Sequence, residues 1–570
     1  MNLKILGVLL PLSLVACVQI PSRTGGESSE HAKAGQLKLP VQRLTEPMLF
    51  DFLLGETALQ RGESEIATGI YLRLARSTRD PRIAQRATEV ALHSRQPAPA
   101  LETAALWVEL DPNAMNARQT TAALLVSVDR LDEARPHLER LLASEGNGIH
   151  EAFMQLNGLL ARSADKPAIL ELVQHLSKPY PDLPEAHFAI SQAAWFANQF
   201  DTALAEMKQA LALRPNWETA AIYLGRILQR ASGSAAIEFY KEYLDSYPKY
   251  NDTRVAYARL LTAEKNYLQA REQFQKLLME NPANADIILA VGLLSMELRD
   301  YDAAEVNFKR VLELDYREPG VVRFYLAGIY EKTQQTEAAM KWYLSVTSGN
   351  QYLPSQIRYA VLLAKQGKIT EARQHLQQLP STSDQQAAQL IIAEAQLLRE
   401  AGADQEVFSV LSRGLEKLPN YPELLYDHAL AADKIGKPEI LERGLRKLIQ
   451  LKPDHAHAYN ALGYSFVEHN RRLIEALELI ERASTLSPND PYIMDSLGWV
   501  HYRMGNLNQG TDYLRRAFTI YPDPEIGAHL GEVLWAQDLK DEAREIWNSA
   551  LKSGPNNEAL LKTIKKFIPQ

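Results

Sequence analysis

Residues 497–522 read LGWVHYRMGNLNQGTDYLRRAFTIYP, and residues 530–555 read LGEVLWAQDLKDEAREIWNSALKSGP. Aligned end to end, the two stretches place small residues, a bulky apolar residue and a closing proline at the same positions. The chain therefore contains an internal repeat, and the repeat decides the fold class. The matching pairs are Gly498 and Gly531, Gly510 and Ala543, Leu514 and Trp547, Ala517 and Ala550, and Pro522 and Pro555.

The spacing within one unit predicts two amphipathic helices that pack against each other. The first small residue lets the first helix (helix A) approach the second (helix B), and the second small residue does the same from helix B. The bulky residue four positions later fills the space between the helices, and the next small residue admits the following unit. The closing proline ends helix B and lets the next helix A begin.

Prolines mark a period of about 34 residues along much of the chain. From 48 to 556 this period gives about fifteen units. The pattern is weakest at 143–183 and 345–400, where we expect irregular helix pairs or elbows between sub-arrays. One series of prolines is Pro215, Pro248 and Pro282, and the other is Pro419, Pro453, Pro488, Pro522 and Pro555.

This spacing of residue types resembles the tetratricopeptide repeat (TPR) consensus. The resemblance implies an all-α solenoid, a right-handed superhelix of antiparallel helix pairs whose A helices line a concave, protein-binding surface. The expected parts are a signal peptide at 1–16, a lipidated cysteine and flexible spacer at 17–47, an N-terminal and central array at 48–350, irregular TPR-like helices at 351–421, a C-terminal array at 422–556 and a capping helix at 557–570.

The N-terminus reads as an export signal. Lys4 is followed by an apolar run, Ile5 to Val18, which is shorter than the about 20 residues that a membrane-spanning helix needs. The run ends in Leu14-Val15-Ala16-Cys17, which resembles the lipobox of bacterial lipoproteins, and Cys17 is the only cysteine among 570 residues. We therefore predict lipidation (palmitate) at Cys17. Because Val18 and not Asp follows it, the resemblance favours the outer membrane.

The composition and motifs favour a binding protein over an enzyme. The formal net charge is −8 and the basic residues are dispersed, which argues against nucleic acid as a partner. The sequence lacks the motifs of hydrolases, P-loop proteins, dinucleotide-binding proteins and metalloproteases. His455 and His457 are two residues apart on a predicted helix and face different directions, so we expect no metal site. We also expect no cofactor.

The last A helices predict a binding groove. Positions 2, 5, 9 and 12 of each A helix should face it, and in these units several of them are aromatic, acidic or amide residues. Such side chains on a solvated face are typical of protein-binding surfaces. The alternative is that Trp499 and Trp535 pack between repeats or against a capping helix. The candidate binding residues are Asn460, Tyr464, Asp495, Trp499, Tyr502, Glu532 and Trp535.

Three segments carry a closer resemblance: residues 458–464 (AYNALGY), 495–500 (DSLGWV) and 528–535 (AHLGEVLW). They are similar to a family of large proteobacterial outer-membrane TPR lipoproteins that face the periplasm. One kind of member is the adaptor, or binding partner, of a periplasmic carboxyl-terminal processing protease and brings it to cell-wall (peptidoglycan) hydrolases. The resemblance implies a scaffold that regulates proteolysis. The alternatives are an assembly factor for a pilus, secretion or polysaccharide-export machine, and an enzyme that uses the groove.

Overall fold

A computed structural model describes residues 39–94, 97–161 and 163–568. These residues form thirty-one α-helices, one 3-10 turn at Gly146–Gly148 and no strand. Cys17, the signal peptide and most of the spacer lie outside the described residues, so the predictions made for them stay predictions. Within the described ranges, none of the helices has the length and apolar composition that crossing a bilayer needs.

Helices A carry odd numbers and helices B even numbers. The first twelve are α1 Glu46–Gln60, α2 Ser64–Thr78, α3 Pro81–His93, α4 Pro97–Leu110, α5 Met115–Ser127, α6 Leu131–Ser144, α7 Ile149–Leu160, α8 Lys166–Ser177, α9 Pro184–Phe196, α10 Phe200–Leu213, α11 Glu218–Ala231 and α12 Gly233–Ser246. The next ten are α13 Asn251–Ala263, α14 Tyr267–Glu280, α15 Ala285–Glu297, α16 Tyr301–Glu313, α17 Pro319–Lys332, α18 Thr336–Leu344, α19 Tyr352–Lys365, α20 Ile369–Gln378, α21 Asp384–Glu400 and α22 Asp404–Lys417. The last nine are α23 Pro422–Lys434, α24 Pro438–Leu451, α25 Ala456–Glu468, α26 Leu473–Leu486, α27 Pro491–Arg503, α28 Leu507–Ile520, α29 Pro524–Ala536, α30 Lys540–Ser553 and α31 Glu558–Phe567.

The predicted contact between helices A and B is confirmed. A Cβ atom on Gly498 would lie 2.5 Å from Cγ of Leu514, and one on Gly531 would overlap the indole of Trp547. Only glycine therefore lets the two helices come this close with a bulky residue between them. The buried core is the sum of such contacts, repeated from one helix pair to the next. The fold is an all-α TPR solenoid, as the repeat pattern predicted.

The closing prolines lie between helix B of one pair and helix A of the next. Pro488 follows α26 and Pro522 follows α28. Asp490 and Asp523 then cap α27 and α29. The Asp490 carboxylate accepts hydrogen bonds from two backbone N–H groups of the first turn and that of Asp523 from one, and a proline occupies the first helical position in both helices. Aspartate satisfies N–H groups that have no partner inside the helix, so these short loops fix where each A helix begins.

Helix lengths vary most between 336 and 400, a range that overlaps the stretch of weak repeat pattern. There α18 has 9 residues, α20 has 10 and α21 has 17. The contacts divide the chain into two compact units, one up to Tyr257 and one from Ala258 onwards. The part boundaries expected at 350 and 421 stay predictions.

Candidate protein-binding surface in the C-terminal repeats

The seven candidate residues lie on three A helices, α25, α27 and α29. Asp495, Trp499 and Glu532 are buried, with exposed fractions of 7%, 7% and 8%. The other four, Asn460, Tyr464, Tyr502 and Trp535, are half-buried. The first three therefore hold neighbouring A helices together, and the half-buried four are the ones that a bound protein could touch directly. Their role in binding stays a prediction.

Trp499 connects three successive A helices. Its Nε1–H donates a hydrogen bond to Oε1 of Glu468 at the end of α25, with the two atoms 2.8 Å apart. Its indole stacks on the imidazole of His529 in α29, with ring centroids 4.2 Å apart and planes inclined by 19°. The alternative interpretation of Trp499, packing between repeats, is what the structure shows for this side chain.

Asp495 and His529 form a buried ion pair between α27 and α29. His529 Nδ1 lies 2.9 Å from Oδ1 and 3.0 Å from Oδ2 of Asp495. Burial by itself lowers the pKa of His529, but the nearby carboxylates, above all that of Asp495, outweigh it and raise the pKa overall. When the imidazole is protonated, it pairs with the carboxylate while it stacks on Trp499.

Asn460 and Tyr464 line the same row one helix earlier. Oδ1 of Asn460 is buried and has no hydrogen-bond partner, which costs free energy. Burial raises the pKa of the Tyr464 hydroxyl, and the carboxylates of Glu468 and Asp495 add to the effect. Tyr464 therefore stays neutral and can act as a hydrogen-bond donor to a bound chain.

Glu532 is held from both sides by other elements. Its Oε1 accepts a hydrogen bond from the Tyr502 hydroxyl of α27 at 3.3 Å and from Nζ of Lys566 of α31 at 2.9 Å. Because Glu532 is buried, the lysine compensates a charge that would otherwise be costly to bury. The last helix thus extends the row of A helices by one step.

Trp535 packs against the capping helix. Its ring centroid lies 5.6 Å from that of Trp547 in α30 and 5.9 Å from that of Phe567 in α31. Lys540 and Arg544 lie near its face, with their charged groups 5.7 and 5.5 Å from the centroid. Packing against a capping helix was the alternative for Trp535, and the structure shows that contact.

Sequence reasoning missed the partners His529, Lys566 and Glu468. A signal for two of them is present: His529 follows Asp495 by 34 residues, and Lys566 follows Glu532 by 34 residues. Opposite charges one period apart on equivalent helices are expected to meet, because successive units stack in register. Glu468 could not be found this way, since its bond to Trp499 spans 31 residues and starts near a helix end.

Metal ligation finds no support among the side chains that the structure describes. Across those residues, no three or more His, Cys, Asp or Glu side chains are grouped to hold an ion. His455 instead caps α25, with its Nδ1 accepting the backbone N–H of Ala458 at 3.1 Å. His457 lies 3.8 Å from an oxygen of Asp490.

A known protein resembles this chain over most of its length. A family model described as a tetratricopeptide repeat matches residues 188–251. A TPR repeat-containing protein of Pseudomonas aeruginosa is 33% identical over 490 residues, which cover 86% of this chain and 82% of that protein. The chain belongs to the TPR protein family.

Other known proteins are similar to parts of this TPR protein. Cellulose synthase operon protein C of Pseudomonas fluorescens is 24% identical over 350 residues, covering 51% of this chain and 27% of that protein. Among solved structures, a thermophilic TPR protein of Thermus thermophilus is 22% identical, with a TM-score of 0.29, and covers 32% of this chain and 98% of its own. MamA of Desulfovibrio magneticus is 21% identical, with a TM-score of 0.26, and covers 30% and 97%.

Proposed function

We propose that this TPR protein is a non-catalytic scaffold anchored in the outer membrane through Cys17. It faces the periplasm and brings a carboxyl-terminal processing protease to cell-wall hydrolases. TPR solenoids mediate protein–protein interaction, and the coarser part of the proposal, a protein-binding scaffold, follows from the fold. The protease and its substrates are proposed from the resemblance of residues 458–464, 495–500 and 528–535.

The observation that carries the proposal is the row of half-buried polar and aromatic side chains on α25, α27 and α29. Tyr464, Tyr502 and Trp535 each present one edge while their other edge packs on a neighbouring helix. Asn460 adds a carbonyl oxygen without a partner. Rigid aromatic groups such as tyrosine and tryptophan are enriched in surfaces that bind other proteins.

A scaffold of this kind accelerates proteolysis by raising local concentration. If protease and substrate bind to one chain, the cleavage step becomes effectively intramolecular. Attachment at Cys17 would confine both partners to the envelope. The anchor is tested with Cys17→Ser, which we expect to accumulate as unlipidated precursor; a processed, outer-membrane form of that variant would refute the lipobox.

The adaptor role is tested by reconstitution. The purified chain is mixed with a periplasmic carboxyl-terminal processing protease and a peptidoglycan hydrolase, and hydrolase degradation is followed over time. We expect degradation to be fast only with the chain present and to slow when Tyr464 and Tyr502 are both changed to Ala. The matched control is Val306→Asp, an exposed apolar position on α16. Equal degradation rates with and without the chain would exclude the adaptor role.

A second candidate function is assembly of an envelope machine. The observation that favours it is the similarity, over half of this chain, to a protein named for a cellulose synthase operon. An assembly factor would co-purify with the subunits of one machine in fixed stoichiometry and would leave hydrolase levels unchanged when deleted. Quantitative mass spectrometry of deletion and wild-type envelopes distinguishes the two functions.

A further inference from the structure

The first helix, α1, exposes five large apolar side chains; Phe52, 46% exposed, lies towards Tyr71 of α2, and the other four share one side of the helix. Their exposed fractions are 45% for Leu49, 64% for Phe50, 55% for Leu53 and 39% for Leu54. The spacing i, i+1, i+4 and i+5 places them on two successive turns of the same side of the helix. We call this set the N-terminal apolar face. A contiguous apolar face on a folded protein marks an interaction site.

Repeat register shows what kind of surface this is. Phe50 lies five residues before Gly55, and Leu54 lies directly before it. Gly55 is the glycine at which α1 packs closely on Tyr71 of α2. The residues at the same distances before the equivalent glycines of α27 and α29 are almost completely buried. They are Ile493 and Leu497, with exposed fractions of 1% and 2%, and Ile526 and Leu530, with exposed fractions of 1% and 0%.

In α29 the preceding helix B covers the position equivalent to Phe50: Ile526 packs with Ala517 and Phe518 of α28. Within the described ranges no helix precedes α1. The N-terminal apolar face therefore has the register and shape of a helix–helix contact, and a helix is the element that fits it.

The chain's own N-terminal segment is poorly suited to supply that helix. Between Cys17 and Leu39 the large apolar residues are Val18, Ile20 and Leu37, and the segment also contains Pro21 and a pair of glycines. In sequence, these three widely separated apolar residues do not show the helical periodicity that an apolar packing stripe needs.

The charges beside the face favour a protein over a lipid surface. Glu46 lies one turn before Leu49 and Phe50, and Arg61 lies about two turns after Leu53 and Leu54; both are exposed. Helices that lie in a membrane interface are typically rich in lysine and arginine along their polar side. One acidic and one basic residue at opposite ends instead suit a partner with the complementary pair.

We infer that the N-terminal apolar face binds an amphipathic α-helix of a partner protein. The partner helix would occupy the place that helix B of a preceding repeat occupies elsewhere. It would present an apolar stripe to Phe50 and Leu54, a lysine or arginine to Glu46 and an aspartate or glutamate to Arg61. The inference rests on the proposed scaffold function and assigns it a second binding site, at the opposite end of the sequence from α25–α29.

The test is photocrosslinking from Phe50 in the full-length chain in the native envelope. Phe50 is replaced by p-benzoylphenylalanine, and the crosslinked peptide is mapped by mass spectrometry. We expect it to come from an amphipathic helical segment of another protein. Changing Leu54→Asp together with Glu46→Lys should reduce the crosslink by about tenfold or more. The same label at Val306, exposed on α16, should give no such product.

Other outcomes contradict the inference. A crosslink to residues 18–38 identifies the chain's own segment, and a crosslink to α1 of a second copy identifies a homodimer. A crosslink to lipid, with flotation on phosphatidylethanolamine–phosphatidylglycerol vesicles that Phe50→Asp abolishes, identifies the membrane. No product from Phe50 at all also overturns it.

A second photocrosslinking label at Tyr492 shows whether a negative result at Phe50 contradicts only the helix-binding face or also the proposed scaffold function. Tyr492 is 49% exposed and is the second residue of α27. If Tyr492 captures a protein and Phe50 does not, the scaffold stands and the helix-binding face is wrong. If neither position captures a protein, both proposals fail.

Discussion

The helices at the two ends of the array, α1 and α31, differ in what lies against their apolar side chains. On α31, Leu560 is fully buried and Phe567 packs on Trp535 and Trp547, while Lys562 and Lys565 face solvent. On α1, the inner side packs on Tyr71 through Gly55 and the outer side exposes Phe50. Terminal units of repeat proteins normally need a polar outer face.

The difference teaches that, among the described residues, α31 covers the C-terminal end of the array whereas the apolar side chains of α1 are exposed. The same repeat positions are core residues in α29 and surface residues in α1. Whether a side chain at these positions is exposed therefore depends on which helix of the array carries it, and not on the residue type.

The largest expected effect comes from truncating the aromatic cluster under the cap. Trp547→Ala removes a side chain that is 1% exposed and should cost about 3 to 5 kcal/mol of local stability. The matched change at the open end, Phe50→Ala, should cost less than about 0.5 kcal/mol because that ring is mostly solvated. Native-state hydrogen exchange of α29–α31 and of α1–α2 measures both. Similar losses at the two ends would mean that Phe50 is covered within the chain.

A smaller loss of stability is expected from substitutions at the glycines on which helix B packs closely. Gly531→Ala drives a Cβ into the Trp547 indole and should cost about 1 to 3 kcal/mol. At Gly55 a Cβ would lie 3.1 Å from the Tyr71 ring. A small movement of α1 relieves that contact, and alanine favours helix by about 1 kcal/mol. In thermal melts, Gly55→Ala should have a clearly higher melting temperature than Gly531→Ala. The reverse order would contradict the tight packing at the C-terminal end.

The two ends should respond to pH in opposite directions. His529 has a raised pKa in the folded chain, so its stabilisation is complete below about pH 6.5 and is lost as pH rises through the raised value. Glu56 has a lowered pKa, chiefly because the Tyr71 hydroxyl donates to it. Its stabilisation is present above its usual pKa and is lost as pH falls through the lowered value.

Hydrogen exchange, corrected for the intrinsic pH dependence, tests this contrast. Protection of α29 should fall as pH rises above about 6.5, and protection of α1 should fall as pH drops below about 4.5. His529→Gln should remove the first dependence and leave the second. A wild-type α29 whose protection falls at no pH above about 6.5 would show that the ion pair with Asp495 does not form.

The smallest effect concerns one ion pair at each end. Lys566→Met leaves buried Glu532 with the Tyr502 hydroxyl as its remaining partner and should cost about 1 kcal/mol. Arg73→Met removes a pair with Asp51 in which the arginine is 62% exposed, and should cost less than about 0.5 kcal/mol. Urea denaturation at low and high salt measures the loss in free energy of unfolding for each variant. A larger loss for Arg73→Met would mean that the solvent-exposed pair stabilises the chain more than the cap does.

Much of the fold was predictable because the repeat constrains it locally. The spacing from Gly498 to Leu514 and from Gly531 to Trp547 specified which helix faces meet, and the closing prolines marked where units join. The site was less predictable. Position in the template identified the row that contains Asp495, Trp499 and Glu532, but it could not separate buried from exposed members of that row, since burial depends on neighbours 30 to 34 residues away.

The sequence by itself determined the helical repeat and its register, because small and bulky residues at fixed spacing allow only one way for paired helices to pack. Only the tertiary structure decided that Trp499 bonds to Glu468 and that Trp535 lies against α31. It also decided that Phe50 stays exposed where Ile526 is buried. The physical reason is that a repeat motif specifies which faces of a unit are apolar, and the neighbouring unit determines which of those faces become buried.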